Sequence, residues 1–255
     1  MKEILARLGA KENRFRLIVW GICALFSLFS AGVAFARIGI TDGLLGIGVG
    51  LLLLLPFLLE RIFSVRMETG WFLFIEFYLL AAMAGRLWSL YYLLEHWDKL
   101  LHFCGGVTFA LLGSYLPVLL NPRYRNDYRL RLFFGFFFSV AIAGLWELYE
   151  FGADQLLGMD MQRDTIISSL HSYSLGDAPG VVGHIDRIES VVVNGKVLCE
   201  GGYLDIGLFD TICDMAIESL GALVLAVAGL CDRGRHPAFR RVTAAEAGAG
   251  TALAE

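Results

Sequence analysis

Eight side chains interrupt long apolar runs at spacings that could build one chemical site. Asp98 and His102 are four apart; Glu147, Glu150 and Asp154 are spaced three and four; Asp210, Asp214 and Glu218 are spaced four and four. At 100° per residue, each set stays within one stripe of its helix, about 40°, 60° and 80° wide respectively. An ionised side chain at the centre of a membrane helix costs about 2.5 to 3.5 kcal/mol on insertion scales, so such residues are functional candidates by default. Carboxylates and one imidazole presented inward from helices suit a hard or borderline divalent cation. With no HExxH and no cysteine pair, zinc is not specified. This assigns Asp98, His102, Glu147, Glu150, Asp154, Asp210 and Asp214 as candidate metal ligands. His102 or Glu150 is then the candidate base, and Arg86, the one basic residue inside a span, a candidate catalytic partner for an anion.

The elements that must carry these residues are membrane helices. The chain has 255 residues, 57% hydrophobic and 18% charged, with mean hydropathy +0.63, which is too apolar for a water-soluble enzyme and excludes disorder. Four of the five cysteines lie in apolar runs and Cys199 in a polar one, so a disulfide scaffold is excluded too. A bilayer core needs roughly 20 helical residues, and six stretches qualify: 17–36, 43–59, 71–93, 99–119, 132–154 and 208–231. The first has no small-residue cleavage site after it and stays as a helix. The second is glycine-rich and interrupted by Pro56. The expected fold is an all-α polytopic bundle of six transmembrane helices. Residues 1–16 form a basic N-terminus, 17–231 the membrane domain and 232–255 a flexible tail.

Lysine and arginine orient the bundle. Fifteen fall on the side of the N-terminus, the second and fourth connections and the tail, against five on the other side, so both termini are expected in the cytoplasm. The connection 155–207 then lies outside, and is too long to be a turn. Within it Ser190 to Tyr203 reads as a β-hairpin about Asn194-Gly195, whose residues tolerate the positive φ of a type I′ turn.

Helix direction and a rise of about 1.5 Å per residue put the acids in layers. Asp98, Asp154 and Asp210 share the outer interface; His102, Glu150 and Asp214 lie one turn deeper; Glu147 and Glu218 lie deeper again, level with Arg86. Plainer readings stand beside this one. Asp98 and Asp210 could be solvated helix-start carboxylates, His102 a hydrogen-bonded interior histidine, and Arg86 an ion-pair partner of Glu147 or Glu218. Glu76 is expected to reach the cytoplasmic interface, and the five tryptophans to sit at membrane interfaces. The joint pattern resists these readings, because Glu147, Glu150, Asp214 and Glu218 cannot all be ionised at hydrocarbon depth against one arginine.

The segments WDKLLHFCGG (97–106), WELYEFGADQLLGMDMQ (146–162) and GGYLDIGLFDTICDMAIESLGA (201–222) resemble the YjdF-like inner-membrane proteins of bacteria, over roughly residues 70–230. A looser similarity links the order of these helices to VanZ-like membrane proteins. The YjdF-like resemblance implies a bacterial plasma membrane and no particular reaction. It places the family's polar positions on Asp98, His102, Glu147, Glu150, Asp154, Asp210 and Asp214, and adds Gln155, Gln162 and Thr211 as substrate-binding candidates.

Three functions fit an acid-rich pocket open to the outside. One is a divalent-metal-dependent hydrolase or transferase acting on a lipid-linked or phosphorylated substrate at the outer leaflet. Another is a carrier of cations or of a proton-coupled solute. The third is a non-catalytic binding or scaffold protein whose acid cluster holds the bundle. Besides the lipid bilayer, the expected partner is a small or lipid-linked ligand, with no nucleic acid; the sequence does not fix the oligomeric state.

Overall fold

A computed structural model of the chain describes residues 11–63, 65–233, 235 and 239–241. The expected flexible tail beyond residue 241 and the first ten residues of the basic N-terminus lie outside them. Among the described residues, six helices are long and apolar enough to cross a membrane. The first, α1, is Lys11–Arg37. The second span is two helices, α2 (Ile40–Leu52) and α3 (Leu55–Phe63). Pro56, without an N–H, cannot continue the helical ladder across that joint.

A short strand, β1 (Val65–Met67), leads to α4 (Thr69–Leu87). The sequence ran this span to residue 93, but Ser89 takes a left-handed conformation, φ 59°, which a right-handed helix cannot accommodate. A separate turn of helix, α5 (Leu90–Leu93), follows. Next come α6 (Trp97–Gly113), α7 (Leu116–Leu120), a 3₁₀ turn, and α8 (Tyr128–Leu157). The last span is α9 (Leu208–Asp232), and β8 (Phe239–Arg241) comes after it.

The segment between α8 and α9 has structure of its own. It holds β2 (Thr165–Ile167), β3 (Leu170–Ser172), β4 (Gly183–Ile185), β5 (Ser190–Val193), β6 (Lys196–Glu200) and β7 (Tyr203–Asp205). All its pairings are antiparallel: β2 with β7, β3 with β4, and β5 with β6. The β2–β7 pair ties the start of the segment to its end. The β5–β6 hairpin turns through Asn194 at φ 52° and Gly195 at φ 80°, the two positive values a type I′ turn demands. Tyr203, read as the end of this hairpin, belongs to β7 instead.

The chain divides into two compact units, Met1–Ser139 with Leu220–Glu255, and Val140–Ser219. In the first, apolar residues lie on both sides: Phe72 and Met67 are fully buried in an apolar cluster, while Ile18 and Leu25 on α1 are 62% and 70% exposed. Ser27, Ser30 and Glu76 are polar residues buried among them, at most 1% exposed. An extensive apolar exterior of this kind suits lipid and not water. Here too β1 pairs with β8, Val65 opposite Arg241. The second connection and the segment after the last span therefore share one side, as the even number of intervening spans requires.

Candidate functional site

Helix α6 carries the Asp98–His102 pair in its first two turns. One carboxylate oxygen of Asp98 is 3.9 Å from His102 Nε2, and the other is 3.5 Å from Lys99 Nζ. Small residues let other helices come close enough to fix α6. A Cβ at Gly135 of α8 would lie 2.3 Å from the Ala110 carbonyl oxygen, and one at Gly221 of α9 2.2 Å from the Phe103 carbonyl oxygen. Ser139 Oγ adds a hydrogen bond to the Gly106 carbonyl. In lipid, where apolar side chains gain little by leaving the solvent, such close backbone contacts hold helices together.

The second unit buries Glu147, Glu150, Asp210, Asp214 and Glu218. Glu147, Glu150, Asp214 and Glu218 each interact with a neighbour; for Glu150 the donor is Trp146 Nε1, at 2.8 Å. The outermost acids serve the backbone. Asp154 accepts from the N–H groups of Met161 and Gln162 at 2.6 and 2.9 Å, folding the chain back after α8. Asp210 accepts from the Arg163 N–H at 3.0 Å, and Gln162 Nε2 donates to Thr211 Oγ1. Gln162 and Thr211, named only through the family resemblance, are thus partners, whereas Gln155 is exposed. Just outside the helices, partial desolvation raises the Asp164 carboxyl above its ordinary value, and like charge from Asp160, Asp205 and Asp154 adds to the shift.

Within the first unit, Asp98 and His102 present a carboxylate and an imidazole on one face of α6. Both donor types suit a divalent cation chemically, and His102 is buried. The second unit separately buries Asp214, one turn after Asp210 on α9.

Two expectations are corrected. Arg86 does not meet Glu147 or Glu218; its Nε donates to Asp42 at 2.8 Å. Because α4 ends at Leu87, Arg86 stands in its last turn and not at depth, where it meets the first turn of α2. Glu76 does not reach an interface either; it is 1% exposed, on the face of α4 turned to α1. Sequence reasoning also missed Arg16, which is buried and bonded to Glu60 at 2.9 Å, while Glu60 accepts the Met67 N–H at 2.8 Å. Asp42 and Glu60 had one signal, an acid at either end of the second apolar stretch.

Six membrane-length helices among the described residues, an apolar exterior and a small antiparallel segment between the last two spans define a polytopic membrane protein. The model of a family described as "Predicted membrane protein (DUF2238)" matches residues 17–235, and the chain belongs to this family, of which YjdF is a member. The YjdF-like resemblance is thereby borne out; the VanZ-like similarity is not shown. No curated protein and no solved structure matches the chain.

Proposed function

We propose that this protein is a divalent-metal-dependent hydrolase or transferase of the bacterial plasma membrane, with both termini cytoplasmic. Its substrate is lipid-linked or phosphorylated and reaches the site from the outer face. The observation that carries the reading is the Asp98–His102 pair of α6, a carboxylate oxygen 3.9 Å from the imidazole Nε2 with His102 buried. Asp98 and His102, with Asp214 as the further proposed ligand, would hold a divalent cation, which when bound would supply Lewis-acid polarisation of a phosphoryl or carbonyl oxygen and a bound water of lowered pKa. With His102 engaged as a ligand, the base is Glu150, whose carboxylate is already oriented by Trp146. Gln162 and Thr211, linked to each other, are the substrate-positioning candidates.

Asp154 and Asp210 favour a second reading for the outer layer alone, in which these acids organise the backbone and bind nothing. The test is elemental analysis of the detergent-purified protein beside Asp214→Asn, His102→Ala and Asp154→Asn. Roughly one metal equivalent in the wild type, lost in the first two and kept in the third, is expected. Absence of metal from the wild type after incubation with magnesium, manganese and zinc overturns the reading. Orientation is tested by a reporter fused after Arg241, which should be active only in the cytoplasm.

A further inference from the structure

Helix α1 presents a second polar stripe, apart from the acids of α6, α8 and α9. Arg16, Trp20, Cys23, Ser27 and Ser30 recur at spacings of four, three, four and three, so they share one face. That face meets α4 in a constant parallel register. The Arg16 guanidinium lies over the Phe72 ring, 4.3 Å from its centroid, and Ser27 Oγ is 3.5 Å from Met83 Sδ. The same offset places Trp20 level with Glu76.

Glu76 is 1% exposed, and neither of its carboxylate oxygens has a hydrogen-bond partner among the described residues; Trp20 Nε1 and Arg16 Nε are in the same condition. The charge of Arg16 is already matched by Glu60. An ionised carboxylate in such a place would keep the full cost of losing water with no hydrogen bond in return, whereas the neutral acid keeps much less of it. A metal ion does not fit, because it needs several oxygen ligands, and the stripe of α1 level with Glu76 carries an indole, a guanidinium and a thiol but no carboxylate. A proton needs one oxygen.

We propose that Glu76 is a proton-binding site of the membrane domain, holding a proton between α1 and α4 independently of the proposed metal ligands. Several titratable or charged groups belong to the elements packed on α4. They are Arg16 and Cys23 of α1, Asp42 of α2 (held by Arg86), Glu60 (held by Arg16) and Arg61 of α3, Tyr91 and Tyr92 of α5, and Asp98, Lys99, His102 and Cys104 of α6, with Tyr115 just beyond it.

Infrared difference spectroscopy of the full-length protein tests this, comparing the wild type with Glu76→Gln. The expected result is a deuterium-sensitive carboxylic C=O band at neutral pH that is lost in the variant. The neutral amide should leave the melting temperature and metal content unchanged. A difference spectrum in which that band appears only on acidification overturns the proposal, because Glu76 is then ionised at neutral pH. So does a Glu76→Gln protein that fails to fold while Glu76→Asp folds, because the site then needs the charge. A wild type with no carboxylic C=O band at neutral pH overturns it without any variant.

Discussion

Gly221→Ala adds one methyl group at the crossing that sets the register of α9 against α6. The new Cβ would start 2.2 Å from the Phe103 carbonyl oxygen and 3.1 Å from its carbon, whereas ordinary contact begins at 3.4 Å. The obstacle is backbone on a buried helix, which cannot rotate away, so the helices must separate by about 1.2 Å or bend. Overpacking of this kind costs about 1 to 3 kcal/mol, a fall of about 2 to 12 °C in melting temperature for a chain of this size. Asp214 lies seven residues from Gly221 along α9, so a shift of α9 should also weaken binding at the proposed metal ligands, by about the 10- to 100-fold that loss of a ligand's orienting partner typically costs. The control is Gly32→Ala on α1, where nothing lies within 4 Å of the added carbon. Alanine there is expected to be neutral or stabilising by up to about 1 kcal/mol. The assay is thermal unfolding in detergent, followed by metal titration. Equal stability and equal metal affinity for the two variants would refute the close-contact argument.

Three further outcomes are expected. Asp154→Asn removes a charge that accepts two backbone N–H groups, so the turn after α8 should loosen by about 1.5 to 3 kcal/mol, seen as faster hydrogen exchange at Met161 and Gln162; unchanged exchange there would contradict it. Arg16→Met leaves the half-buried Glu60 without its cation and should destabilise the first unit by up to about 3 kcal/mol in thermal unfolding, unless Glu60 is replaced by Gln at the same time; equal melting temperatures for Arg16→Met and the wild type would contradict it. The Asp164 carboxyl is raised in the folded protein, so the folded state binds its proton more tightly than the unfolded chain does. The segment between α8 and α9 should therefore gain stability as pH falls through the raised value toward the ordinary carboxylate range, and lose it as pH rises. Asp164→Asn should flatten that dependence in hydrogen exchange, and an unchanged slope would count against it.

Much of this protein is legible in the sequence because its strongest signals are local. Apolar length fixes the six spans, and Asn194-Gly195 specifies its turn because both residues accept positive φ. Helical period places Asp98 with His102, and Asp210 with Asp214, on single stripes. The end of α4 was less legible, since nothing in the apolar run from Trp71 to Leu93 announces that Ser89 turns left-handed.

Period assigns a side chain to a face of its own helix but does not say how that helix is rotated or which neighbour the face meets. Those choices depend on backbone approach at crossings such as Gly135 with Ala110 and Gly221 with Phe103, between segments far apart in the chain. Tertiary structure therefore decided that Arg86 belongs to Asp42 and Arg16 to Glu60, each pair 44 residues apart. It also decided that Asp154 and Asp210 serve backbone N–H groups, and that Glu76, expected at an interface, is sealed against α1. Which acids were present, and on which stripe, followed from the sequence alone; which of them converge depended on how the helices pack.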